Sequence, residues 1–131
     1  MVAAEVATLL QEAGFGVLGE TIFQSFPDMP DDATTVAEYP GEPPVHVRGR
    51  TLPAYEQPRV QVLTRSPSYR VARTRAERIY RLLDGFSGTL QGVGYGRIAA
   101  VQSPFFLGQD DRARHMIVTN FSVIKELSPI A

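Results

Sequence analysis

Residues 58–86 constrain the fold most, because they read as a strand running straight into the chain's longest helix. Arg59-Val60-Gln61-Val62-Leu63-Thr64-Arg65 sets Val60, Val62 and Thr64 on one face, the alternation of a half-buried strand. Ser66 then offers an N-cap, and Pro67 suits the first helical position, where its missing N–H costs nothing. At helical spacing Tyr69, Ala72, Ala76, Ile79, Tyr80, Leu83 and Phe86 gather on one side. Arg70, Arg73, Glu77, Arg78, Arg81 and Asp84 take the other, and Gly85 can serve as a left-handed stop. Glu77 precedes Arg81 by one turn, the favoured orientation for a helical ion pair. The apolar face is predicted to pack on the sheet that Val60 and Val62 help to build.

Earlier in the chain, Val2, Val6, Leu9, Leu10 and Ala13 form a helical stripe that Gly14 ends. A strand is expected near residues 20–26, then a turn-rich break at Phe26-Pro27-Asp28-Met29-Pro30-Asp31, since each proline biases its predecessor away from helix. Another strand follows near 34–39. Residues 40–58 hold five prolines and read as an extended surface loop, long for a compact domain. Beyond the central helix a glycine-rich connection leads to two long strands, near 97–103 and 114–124. The second carries Ile117, Thr119, Phe121 and Val123 on one face. Pro104-Phe105-Phe106-Leu107-Gly108-Gln109-Asp110-Asp111 joins them. Its polar end suits a hairpin tip; the apolar triplet suits either a contact site or packing under the sheet. The element order is therefore α-β-β-β-α-β-β.

A chain of 131 residues fits one domain, spanning 1–131, and can bury a real core. It has no cysteine, which excludes thiolate catalysis, cysteine zinc sites and a disulfide framework. The first residues carry glutamates and no basic region, unlike a signal peptide, and no apolar run approaches the ~18 residues of a membrane span. A soluble intracellular product with no membrane partner is expected.

The chemical inventory is thin. His46 and His115 lie far apart, outside any metal-ligand spacing. Asp31-Asp32 and Asp110-Asp111 lack the glycine turn and distal glutamate of a calcium loop and read as solvated turn carboxylates. Gly92-Val93-Gly94-Tyr95-Gly96 precedes a strand instead of opening a helix, so it is no phosphate cradle. No serine sits in a nucleophile elbow. No catalytic, metal or cofactor-binding residue is assigned, and an enzyme is not expected.

A net charge of −1 conceals segregation: residues 1–44 hold eight acids and no lysine or arginine, whereas 45–81 hold nine arginines against Glu56 and Glu77. Arginine's planar fork favours paired contacts with carboxylate or phosphate. The pattern fits a solvated helix face beside an acidic loop, or acidic and basic surfaces that meet between copies. Sequence-nonspecific DNA binding along phosphates is a further reading, opposed by the absence of a recognition-helix motif and by Glu77 and Asp84, which interrupt the face.

In order along the chain, several segments resemble the tail terminator (minor capsid, or tail-completion) proteins of long-tailed bacteriophages. They are Phe26-Pro27-Asp28-Met29-Pro30-Asp31, Gly41-Glu42-Pro43-Pro44, Pro58-Arg59-Val60-Gln61-Val62 with Arg65, and Ser68-Tyr69. Phe105-Phe106-Leu107-Gly108-Gln109-Asp110-Asp111 with Arg114 and Asn120-Phe121-Ser122-Val123 follow. The resemblance implies an α+β subunit, two helices on a mixed, mainly antiparallel sheet, without catalytic residues. It implies a virion protein of the tail and neck, made in the bacterial host cytoplasm and assembled as a hexameric ring at the head-proximal end of the tail tube. Its partners would be itself, the tube protein and the head-tail connector, with genomic DNA passing through the lumen without sequence-specific binding. Another connector or neck protein is the nearest alternative. A cyclic ring needs two different complementary patches per subunit. Arg65, Arg70, Arg73, Arg78 and Arg81 are the candidates for one, the alternative being that some of them face the lumen and screen passing DNA, and Asp28, Asp31, Asp32 and Glu38 are the candidates for the other. Phe105, Phe106 and Leu107 are the candidates for an axial partner contact.

Overall fold

The computed structural model describes residues 2–46 and 53–126, with side chains for 2–39 and 55–126. Two helices, α1 (Val2–Glu12) and α2 (Tyr69–Leu83), accompany seven strands. The strands are β1 (Ile22–Phe23), β2 (Ala33–His46), β3 (Pro53–Ser66), β4 (Gly88–Leu90), β5 (Val93–Ala100), β6 (Phe105–Gln109) and β7 (His115–Glu126). They form one sheet in the order β1-β2-β3-β7-β5-β4, with β6 also paired to β7. Among these strands β1 and β2 run parallel and the remaining pairs are antiparallel. This is the expected mixed, mainly antiparallel α+β fold, and the short strands β4 and β6 extend the expected order.

The alternation in β3 sets the layers. Val60, Val62 and Thr64 stand opposite Phe121, Thr119 and Ile117 of β7, so these residues share a face. On it, Val2, Val6 and Leu10 of α1 and Ile79 and Leu83 of α2 join Val36, Val60, Val62, Ile98, Phe121 and Val123 in one core. Ala72 and Ala76 close over Ile117 at the other end of α2, where Thr64 Oγ1 also donates to Ala72 O at 3.0 Å. Replacing Leu83 or Ile79 with alanine is expected to cost about 2–5 kcal/mol in urea melts. Arg78→Ala, on the exposed side, should stay within about 0.5 kcal/mol of the parent.

α2 starts later than the sequence suggested. Ser68, not Ser66, is the N-cap, its Oγ accepting from Val71 N at 3.3 Å. Ser66 stays in β3, where its hydroxyl bonds Asp32. The end is as expected: the chain turns at Gly85 with φ +83°. Glu77 pairs backward to Arg73 at 3.1 Å, and not forward to Arg81.

The larger difference concerns residues 40–58. An extended loop was the natural reading of five prolines, yet 40–46 continue β2 and 53–58 continue β3. The prolines are tolerated because the β2–β3 register shifts at Tyr39/Glu42, Glu42/Val45 and Val45/His46, and irregular pairing spares the missing donors. The remaining part of the expected loop, 47–52, lies outside the described residues. Phe105–Leu107 likewise belong to β6 and not to a loop.

One polar contact joins the ends of the fold. Glu5 on α1 and Lys125 on β7 are both buried, and Glu5 Oε1 accepts from Lys125 Nζ at 2.7 Å and from Tyr95 Oη at 2.6 Å.

Candidate assembly surfaces

Strand residues opposite to the helix-covered face include Thr35, Leu63, Arg65 and Val118, which align across β2, β3 and β7. The segment after β1 returns across this face. Thr35 Oγ1 donates to Ser25 O at 2.9 Å, and Arg65 donates to Pro27 O at 2.8 Å and Pro30 O at 2.5 Å. Arg114 holds the same loop from the start of β7, donating to Asp28 O, to Asp31 Oδ1 and Asp28 Oδ1 at 3.3 Å each, and to Asp110 Oδ2 at 2.8 Å. Arg75 reaches round from α2 to Asp32, Ala33 O and Arg65 O. Arg112 adds an exposed pair to Asp28 at 2.8 Å. Buried guanidinium groups, each with several donors in a fixed fork, thus convert a proline-rich turn into a fixed element.

This arrangement engages Asp31, Asp32 and Asp110, three of the four paired aspartates that the sequence presents as solvated turn carboxylates. Asp110 Oδ1 accepts from the backbone N–H groups of Arg112 and Arg114, both at 3.0 Å. Desolvation would raise its pKa, but these bonds and the Arg114 guanidinium outweigh it and hold the carboxyl below the usual range. Asp32 accepts from Ser66 and Arg75. Among the described residues, no group of three or more His, Cys, Asp or Glu could hold a metal ion. His115 lies beside Tyr69 and Phe106, its ring 5.7 and 5.9 Å from theirs. His46's side chain lies outside the described set.

The candidate contact residues divide accordingly. Arg65, Asp28, Asp31 and Asp32 come together within one chain, although the Asp28, Asp31 and Asp32 side chains remain roughly half exposed or more, at 65%, 49% and 48%. Arg70, Arg78 and Arg81 lie on the outer side of α2, exposed, with no charged partner among the described residues. Arg73 bonds Pro104 O at 2.9 Å besides its pair with Glu77, tying α2 to the entrance of β6. Glu38 is separate from the aspartates and accepts from Ala3 N at 3.1 Å. Phe105, Phe106 and Leu107 are all exposed, with Phe106 turned edge-on to Tyr69 at 5.4 Å. Phe105 pairs with Val118 of β7, on the sheet face opposite to the helices, while Leu107 sits at a register shift in the β6–β7 ladder.

Sequence reasoning missed Arg75, Arg112 and Arg114 as holders of the loop. The available signal was position: Arg65 and Arg114 abut strand patterns, where a charged side chain needs a partner once buried.

Exposed cations on one helix, without charged partners among the described residues, and an apolar ridge on an edge strand are the surfaces of an assembly part. Residues 9–127 match the model of the family described as bacteriophage tail terminator protein. The chain belongs to this family, and it is a structural protein of the virion tail. No curated protein matches the sequence. Among solved structures, a chain of the virion of a native gene transfer agent (GTA) particle is similar over 96% of both chains, with a TM-score of 0.61 and 17% identity. At that identity the likeness concerns the fold. No helix among the described residues is long and apolar enough to cross a membrane.

Proposed function

We propose that the protein forms a hexameric ring that caps the head-proximal end of the tail tube, ends tube growth and presents the docking surface for the head connector. The family match across nearly the whole chain carries this reading. Physical support comes from two unlike surfaces on one subunit, as a heterologous cyclic contact requires. The outer arginines of α2, Arg70, Arg73, Arg78 and Arg81, meet the aspartate-bearing loop of the next copy. Phe105, Phe106 and Leu107 serve an axial contact, since exposed apolar residues gain from burial when a partner arrives. DNA passes through the lumen without sequence readout, and the protein has no catalytic role.

The need for such a cap is geometric. A tube built by stacking like rings shows the same upper surface after each addition, so it has no intrinsic end. A terminator matches the ring below and presents a different face above. Deleting the gene is expected to yield filled heads without joined tails, together with tails of uncontrolled length, as seen by negative-stain microscopy. Normal virions with tails of uniform length from the deletion phage would refute the assignment.

A further inference from the structure

Within the loop after β1, the chain presents two large apolar side chains outward, Phe26 at 61% and Met29 at 55% exposure. Exposed apolar residues on a free loop would be unremarkable, but this loop is fixed. The Arg65 and Arg114 groups that bond the carbonyls of Pro27, Pro30 and Asp28 are themselves only 8% and 4% exposed. A knob held in this way loses little conformational freedom when it docks. Between its apolar tips stands Asp28, whose carboxylate is 65% exposed despite its pairs with Arg112 and Arg114.

Elsewhere on the surface is a cleft of about 360 Å³, between the turn that follows α1 and the outer side of α2. Phe15 and Val71 supply apolar wall, Thr74 a hydroxyl, and Arg70, Arg75 and Arg78 the rim; no carboxylate lines it. Arg70 and Arg78 have no charged partner among the described residues, whereas Arg75 already serves Asp32. A cleft with Phe15 and Val71 in its wall and two rim guanidinium groups that have no charged partner among the described residues calls for an apolar group flanked by carboxylate.

We infer that the Phe26–Met29 knob of one copy seats in the α2 cleft of a second copy, with Asp28 facing the guanidinium groups of Arg70 and Arg78. The occupant is this chain because its own loop offers the complementary charge and the complementary apolar tips. Knob and cleft are different surfaces, so the contact is heterologous and can propagate around a ring. The inference rests on the ring reading above and specifies its lateral contact. It also assigns roles to Phe26, Met29 and Val71, which charge segregation alone does not reach.

The absence of native cysteine allows a direct test. Two single variants, Phe26→Cys and Val71→Cys, are purified separately, mixed, assembled on tail tubes and treated with a short bis-maleimide reagent. Covalent dimers are expected in the mixture and in neither variant alone, because only the mixture juxtaposes knob and cleft from different chains. Native mass spectrometry of the same samples reports the rings independently. Rings without a cross-link in the mixture overturn the knob contact while leaving the ring intact. Neither rings nor cross-links would overturn both. Dimers from Phe26→Cys alone would show a two-fold contact and overturn the heterologous one. As a second measurement, Phe26→Ser should weaken self-association at least tenfold with an unchanged melting temperature. Unaltered self-association would contradict the inference.

Discussion

Val60→Asp is expected to abolish cooperative folding. Val60 is 0% exposed and stands in the middle of the sheet, paired with Glu38 on β2 and Phe121 on β7. An ionised aspartate there would lose its hydration beneath α1 and α2, would face the Glu38 carboxylate across the strand pair, and would gain no cation among its strand neighbours. The effective penalty for an unpaired buried ion is several kcal/mol, against a total stability of about 5–15 kcal/mol for a single domain. Gln61→Asp, one residue on, is the control. Gln61 points to the opposite face, is half-buried and bonds Asn120 side chain to side chain at 3.2 Å. Circular-dichroism urea melts should show no cooperative transition for Val60→Asp and a retained one for Gln61→Asp. A Val60→Asp protein melting within about 1 kcal/mol of the parent would mean that β3 has been assigned the wrong face.

A comparable loss is expected from Lys125→Met, for the opposite reason: it leaves a charge behind. Lys125 is 1% exposed and donates to Glu5, which is itself buried. Taking away the ammonium leaves the buried Glu5 carboxylate without its closest cation, at a cost of up to about 3–5 kcal/mol. Adding Glu5→Gln removes the buried negative charge while keeping an acceptor for the Tyr95 hydroxyl, so the double variant should recover part of the loss. Denaturant melts of the two variants decide between this account and a simple packing role for Lys125, under which the second change would recover nothing.

The same pair has a signature in acid. Burial pushes the Glu5 carboxyl up, but hydrogen bonds from Lys125 and Tyr95 and the nearby ammonium charge outweigh it, and its pKa lies below the usual value. A depressed folded-state pKa contributes stability above the unfolded value of about 4.3 and loses it as pH falls through the folded value. The parent should therefore weaken across that acidic range more than the Lys125→Met/Glu5→Gln double variant does.

What could be read locally was read well. The period-two alternation at Val60, Val62 and Thr64 corresponds to a buried face, and so does the 3.6-period face at Ala72, Ala76, Ile79 and Leu83, with Tyr80 and Phe86 half-buried at its margin and Tyr69, expected on the same face, 44% exposed. Each depends on backbone geometry repeated within a few residues, which a sequence records directly. Where local signals misled, the cause was a competing local rule. Five prolines argued against strand over 40–58, but bulged pairing between β2 and β3 accommodates them. Phe105–Leu107 looked like loop because β6 is short and becomes a strand only through its pairing with β7.

The charge pattern shows the division most clearly. By itself the sequence determined that acids crowd the first third and arginines the middle, and that neither cysteine chemistry nor a metal-ligand spacing is available. Only the tertiary structure decided which arginines are occupied. Arg65 lies 38 residues from Pro27, Arg114 lies 86 from Asp28, and Lys125 lies 120 from Glu5, so no periodicity links them. Their pairing follows from strand order: β3 and β7 lie side by side and bring Arg65 and Arg114 under one loop, while the far end of β7 carries Lys125 beneath α1. Among the described residues Arg70, Arg78 and Arg81 have no charged partner because they stand on the side of α2 turned away from that sheet, a distinction set by packing and invisible in composition.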